Sequence, residues 1–410
     1  MPGVRRVLFA QQYPAGGSIA SLIELLQRLP DRGVEAIVAL PTDWSVRAEL
    51  EATGARVVAF EPERSSPPVE PDGPRRDDGS PTERSSSVRR DLRRLASRDL
   101  PHARWMQQVL RAEQIDLLHA NNEVVSNRAA LIAARRCRIP SVVHVRGMYA
   151  YPRGLARAVD RRLAAGVDGY LAISRAAADL TAQQLGVDPT RISVVDNPFD
   201  LRDAEREPSP ELARELGVDG RRVIAMVGRI TGWKGHRVLI DAMHQLDRAD
   251  VAVLVVGGPA STYGPMLLEQ LRARVRELGL EDRVLFTGPR RDVPDILALA
   301  DVAVHCSVEP EPFGRVIVEA MAARVPVIAS AAGGVLEIVD DRRTGLLVAP
   351  GDPDALAAAI AEVLDHPSEA AQLAAAAQRE VVARFDAEAH VDAVLEVHGR
   401  ALATRRRAGR

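Results

Sequence analysis

From Asp301 to Ala332 the chain reads DVAVHCSVEPEPFGRVIVEAMAARVPVIASAA, a run that admits few folds. Val302 and Val304 begin a buried strand. Glu309-Pro310-Glu311-Pro312-Phe313-Gly314 has loop composition, the residues after it carry the apolar spacing of an amphipathic helix, and residues 325–329 form a second apolar strand. Together they make a βαβ unit. Its connecting loop lies at the carboxyl end of a parallel strand and at a helix N-terminus, where backbone N–H groups and the helix dipole favour an anion. Glu311 in the loop and Glu319 just inside the helix can face one pocket. Acids near a helix start can also be there for the dipole alone, but Phe313-Gly314 adds a close backbone approach beside a carboxylate that a plain helix start does not need.

The same alternation runs through the whole chain. In the first half, strands are expected at 4–10, 36–40, 56–60, 115–120, 140–147 and 169–174, with helices at 19–29, 43–53 and 126–136 between them. Gly16 and Gly17 precede the first helix, where a phosphate could approach the backbone. His144 closes the strand that starts after Pro140. A second series begins with strand 223–227 and continues through strands 251–257, 284–288 and 345–348, with helices at 236–246, 355–364, 369–384 and 386–402 and another opened by Ala332-Gly333-Gly334. A length of 410 residues suits two such domains. The expected fold class is therefore α/β, two doubly wound Rossmann-like domains facing a central cleft. The first covers residues 1–200 and is rejoined by the C-terminal helix at 386–410; the second covers 201–385.

Arg229 and Lys234 stand five residues apart on one loop with glycines on both sides, an arrangement that lets two cations converge on a diphosphate. Lys234 is the only lysine among the 54 basic residues. The bland alternative is surface decoration. No metal site is expected: Asp352-Pro353-Asp354 reads as a helix cap, and Cys137 and Cys306 lack ligand spacing and read as buried thiols of a reducing cytoplasm. A formal net charge of −2 points to no nucleic acid. The N-terminus lacks the apolar core of a signal peptide, and no apolar run reaches the roughly 18 residues of a membrane span. Residues 61–87 are Pro, Ser and charge with few aliphatics and read as a disordered insertion. The basic stretch 88–98 repeats Val88, Leu92 and Leu95 on one side, which fits a solvated helix or a peripheral contact with an anionic membrane surface.

EPFGRVIVEAMAARVPVIAS, with Glu311 and Glu319 at its two acid positions, resembles the signature of the retaining nucleotide-sugar glycosyltransferases of glycosyltransferase family four. The resemblance implies the GT-B fold and a nucleoside-diphosphate sugar donor, UDP favoured, whose sugar passes to a hydroxyl-bearing acceptor without metal or cofactor. It also implies that Glu311 meets the sugar, that Phe313 and Gly314 offer backbone amides to it, and that Glu319 holds the ribose. Arg229 and Lys234 bind the diphosphate, Gly16 and Gly17 lie beside it, His144 stands at the reacting end of the donor, and Arg290 lies near the base. A non-hydrolysing nucleotide-sugar epimerase and a non-catalytic sugar-nucleotide-binding protein are the other readings that fit these residues. Deleting residues 67–83 is expected to leave the melting temperature nearly unchanged; a large drop by calorimetry would instead place that segment inside a packed domain.

Overall fold

The computed structural model of the chain describes residues 6–14, 16–42, 44–60, 93, 95–151, 154–201, 204–260 and 263–408. They fall into two compact units, one built from the described residues up to Phe199 together with those from Phe385 onward, the other from Asp200–Arg384. The expected insertion at 61–87 lies outside the described residues, as does most of the basic stretch 88–98. Of that stretch, Leu95 to Arg98 belong to a short turn, Leu95–Asp99, that leads into the helix Leu100–Ala112.

The first unit holds β1 (Arg6–Gln11), β2 (Glu35–Leu40), β3 (Arg56–Ala59), β4 (Leu117–Asn121), β5 (Ser141–Val145), β6 (Gly169–Ala172) and β7 (Ile192–Val194). They lie in the order β3-β2-β1-β4-β5-β6-β7, and each neighbouring pair is parallel. Helices cover both faces of such a sheet, so its central strands are apolar at successive positions. Side chains still alternate: Leu8, Ile37, Leu118 and Val143 enter the core on one face, while Val7, Phe9, Val38, Leu117 and Val142 enter the core on the other. The long helix Ala387–Ala408 packs Val391, Val394, Val397 and Ala401 into that second core. Three- and four-residue spacing puts these on one helical stripe.

The second unit repeats the plan with β8 (Arg222–Val227), β9 (Val251–Val256), β10 (Val284–Gly288), β11 (Val302–His305), β12 (Val327–Ser330) and β13 (Leu346–Val348). Their order is β10-β9-β8-β11-β12-β13, and all pairs are parallel. Two expected helices are shorter than the sequence suggests. The one at 43–53 is reduced to Arg47–Glu51, and Ala332-Gly333-Gly334 opens only the 3₁₀ turn Gly334–Glu337, since adjacent glycines weaken a helix start and Gly333 has φ +65°. Asp352 does cap its helix, accepting the Ala355 N–H at 2.9 Å. Cys306 is buried while Cys137 is only half-buried, and both are free thiols.

Four buried imidazoles meet in the first unit: His119 on β4, His144 on β5, and His390 and His398 on the last helix. His119 Nδ1 lies 2.8 Å from His398 Nε2, so one ring donates and the other accepts. The His144 ring stacks on His390 at 6.1 Å. Burial, joined at His390 by the charge of Arg146, pushes His390 and His398 down to about 3, and burial moves His119 and His144 in the same direction. Because the folded pKa lies below the unfolded value of 6.5, the stabilisation is complete above that value and is lost as pH falls beneath it. At pH 5 the linkage is worth roughly 2 kcal/mol for each of His390 and His398. The first unit is expected to lose stability steeply between pH 6.5 and 5 in denaturant melts, and His398→Gln is expected to flatten that slope; a pH-independent midpoint over this range would contradict it.

Candidate functional site

In both sheets the chain order reverses beside a central strand, at β1/β4 and again at β8/β11. Open parallel sheets bind ligands outside the carboxyl ends of such strands. In the second unit the loop after β8 carries Arg229 and Lys234, and the loop after β11 carries Glu311. Neighbouring strands therefore bring together residues that stand far apart in the sequence. Three contacts lock the loops: the Val308 N–H donates to the Trp233 carbonyl at 2.8 Å, Lys234 meets Glu311, and Gly235 presses on the backbone of Cys306. A Cβ on Gly235 would sit 1.8 Å from the Cys306 carbonyl oxygen, and φ there is +76°, so only glycine closes this turn. On the other side Gly333 and Gly334 support the acid loop. A Cβ on Gly333 would fall 2.3 Å from the Glu311 carbonyl oxygen, which accepts the Gly334 N–H at 2.7 Å.

Lys234 Nζ donates to both carboxylate oxygens of Glu311, at 2.9 Å to Oε1 and 2.7 Å to Oε2. His305 Nε2 reaches Oε2 at 2.9 Å and Ser307 Oγ donates to the same oxygen at 3.0 Å. The two charged side chains are 14% and 11% exposed. Burial alone would raise the Glu311 pKa, but the Lys234 charge and the His305 hydrogen bond outweigh it and hold the carboxyl well below its ordinary range. Glu311 is thus an anion at neutral pH. The ammonium also lies 4.4 Å from the Trp233 ring centroid. Cys306, between these loops, faces the other way, toward Met226 Sδ at 3.9 Å and the Gly235 carbonyl at 3.2 Å. Burial raises its thiol to about 12, which makes it inert.

The remaining expected residues separate. Arg229 is half-buried, with no ion-pair or hydrogen-bond partner among the described residues. Phe313 is buried, and Gly314, at φ +104°, starts the helix Arg315–Ala322 with no side chain capping it. Glu319 lies on that helix at 35% side-chain exposure, its Oε1 3.5 Å from Arg315 Nε. Arg290 is committed elsewhere: its guanidinium bonds Asp292 at 2.8 and 2.6 Å and Glu215 at 2.7 Å. In the first unit Gly16 caps the helix Gly17–Leu26, again without a side-chain hydrogen bond. His144 is fully buried, with Arg146 Nη2 3.3 Å from its Nδ1. What β5 leads to beyond His144 is the Arg146-Gly147 pair. Arg146 binds Asn121 at 2.6 Å and Asn197 at 2.9 Å. Among the described residues no group of three or more His, Cys, Asp or Glu could hold a metal ion, and no helix is long and apolar enough to cross a membrane.

Residues 15–203 match the family described as Glycosyltransferase Family 4, and residues 209–380 match Glycosyl transferases group 1. A D-inositol 3-phosphate glycosyltransferase of Salinispora tropica is 33% identical over 333 residues, which are 73% of this chain and 68% of that protein. This chain belongs to glycosyltransferase family four. A 2-deoxystreptamine glucosyltransferase of Streptomyces kanamyceticus is 32% identical over 270 residues, 61% of this chain and 68% of its own. Among solved structures, Anabaena HepE in complex with UDP superposes with a TM-score of 0.80 at 28% identity, covering 97% of this chain and all of that one. HepE has also been solved with UDP-glucose, at 29% identity over 96% of this chain and 99% of its own. The protein is a glycosyltransferase of GT-B fold, and these relatives do not favour the epimerase or the non-catalytic reading.

Sequence reasoning about this glycosyltransferase missed His305, Ser307 and the supporting Gly333-Gly334 pair. A signal was present: two polar residues with an apolar one between, at the end of a buried strand, share a face and point where the acid loop begins. Glu311→Gln strands an ammonium in a largely buried place and is expected to cost about 3–5 kcal/mol in urea unfolding. Adding Lys234→Met is expected to recover most of that loss. Strict additivity in the double-mutant cycle would show that the pair is not coupled.

Proposed function

We propose that this glycosyltransferase takes its sugar from a nucleoside diphosphate sugar, UDP favoured, and passes it to an acceptor hydroxyl with retention of configuration and without a divalent metal. The observation that carries this reading is the pairing of Lys234 with Glu311 across the two loops of one strand-order reversal, with Arg229 on the first of those loops. An ammonium has three N–H donors; two go to Glu311, and the third suits a phosphate oxygen. Arg229, whose charge no described carboxylate answers, supplies the second cation. The HepE complexes with UDP and with UDP-glucose support the choice of nucleotide.

In this mechanism Glu311 takes a hydrogen bond from a hydroxyl of the transferred sugar and Glu319 one from the ribose. The Phe313-Gly314 backbone and the helix it opens face the sugar and phosphate. The acceptor oxygen forms its bond to the anomeric carbon on the side from which the diphosphate leaves. As the carbon–oxygen bond to phosphate breaks, a phosphate oxygen takes the acceptor proton, and the products are the glycoside and the nucleoside diphosphate. Arg229 and Lys234 stabilise the charge that grows on the leaving group, and stabilisation of that kind is strongest where it is preorganised. Arg290 and His144 have lesser parts in this proposal, since one guanidinium is already paired and one imidazole is buried. The basic stretch 88–98 is the segment suited to an anionic membrane surface.

Because Lys234 is the only lysine, an amine-acylating reagent has only Lys234 and the chain's α-amino group as targets. Acylation is expected to abolish transfer in step with modification of Lys234 by peptide mass analysis, and UDP is expected to protect. Lys234→Arg is expected to be severely impaired although it keeps the charge, because a planar fork does not replace a compact ammonium. Turnover is expected to survive EDTA. Transfer by fully acylated protein would remove Lys234 from the mechanism, and turnover restored only by Mg²⁺ or Mn²⁺ would overturn the metal-free reading.

A further inference from the structure

We infer that His305 and Ser307 are positioning residues of the donor site: they fill one oxygen of the Glu311 carboxylate so that the other is aimed at a sugar hydroxyl. The inference rests on the donor reading given above and adds two residues to it. β11 ends at His305, and strand alternation sends His305 and Ser307 to one side while Cys306 turns into the core. Both are buried, at 5% and 1% exposure.

The hydrogen-bond count is uneven. Oε2 lies within 2.7 Å of Lys234 Nζ, 2.9 Å of His305 Nε2 and 3.0 Å of Ser307 Oγ, whereas among the described residues Oε1 meets only Lys234 Nζ, at 2.9 Å. A carboxylate has about four lone-pair sites. Three donors share the two sites of Oε2 and leave none open, and Oε1 keeps one site for a further donor. A ring nitrogen facing a carboxylate oxygen must carry a proton, so His305 is protonated at Nε2. Its Nδ1 is buried without a partner among the described residues. Ser307 Oγ, 3.1 Å from the same Nε2, helps hold the ring. Lys234 by itself, bridging both oxygens, would leave the carboxylate plane able to turn about the ammonium. The imidazole and hydroxyl remove that freedom, so the cost of ordering the acid is met before a sugar arrives. A buried histidine that merely filled space would not need its N–H aimed at the one oxygen that the ammonium and the serine also share.

The test separates what the sugar adds from what the nucleotide adds. Calorimetric Kd values for UDP and for UDP-glucose are measured on the full chain for wild type, His305→Phe, His305→Gln and Ser307→Ala. The UDP Kd is expected to stay within about twofold in every variant, and the UDP-glucose Kd to rise about 10-fold in His305→Phe, as for loss of a hydrogen bond to a charged group. Gln, which can place an N–H near the position of Nε2, is expected to recover most of that loss. Ser307→Ala is expected to show a smaller rise of the same kind and keeps the inference testable should His305→Phe fold poorly. Equal Kd changes for UDP and UDP-glucose, or no change in His305→Phe and Ser307→Ala, would overturn the positioning role while leaving the donor reading in place. Wild-type protein that binds neither compound would overturn both.

Discussion

The second unit depends on one ion pair, Lys234 with Glu311, set where water is largely excluded. Two unit charges 4 Å apart attract by about 4 kcal/mol at an effective dielectric near 20, and removing each from water costs several kcal/mol. Attraction alone does not clearly win. What tips the balance is the set of additional donors on the carboxylate, His305 and Ser307, together with the Trp233 ring beside the ammonium. Such a pair specifies geometry more than it adds stability. It fixes the loop after β8 against the loop after β11, and those are the two loops that a parallel sheet offers to a ligand.

Glycine makes that closeness attainable. Lys234 can reach Glu311 because Gly235 lets the loop turn directly onto the Cys306 carbonyl, and Glu311 keeps its place because Gly333 lies flat against its backbone. A methyl group at either point would push one loop off the other. Among the described residues no carboxylate pairs with Arg229, so within them the loop keeps a positive charge although its lysine is matched.

The first unit solves a different problem. Its last helix returns to the sheet and seals one face with valines, but it also brings His390 and His398 against His119 and His144. Neutral imidazoles can share protons in such a cluster; charged ones repel, and the nearby Arg146 adds to the repulsion. The return of the helix is therefore favourable only while the rings are neutral. His144, one residue before the end of β5, lies in the interior beside His390, and Arg146 follows the strand.

Apolar runs of strand length alternating with amphipathic spacing were legible in the sequence, and with them the α/β class, because periodicity is a local property that burial on both sheet faces imposes on every strand. The acid-loop-helix run around Glu311 and the glycine-flanked Arg229 and Lys234 were legible for the same reason: their chemistry is concentrated in short stretches. The sequence was silent on pairing. That Lys234 is spent largely on Glu311 was decided by the order β10-β9-β8-β11-β12-β13, which sets residues of distant loops side by side, and the reach of Arg290 to Glu215 is likewise a long-range contact. Asp292 beside Arg290, and His305 and Ser307 behind Glu311, are near in sequence, but their side-chain directions were fixed only by folding. Burial of His144 likewise required the last helix, more than 200 residues later in the chain. Local pattern determines which elements form, whereas the partner of a charge depends on which strands become neighbours, and that is settled by packing across the whole unit.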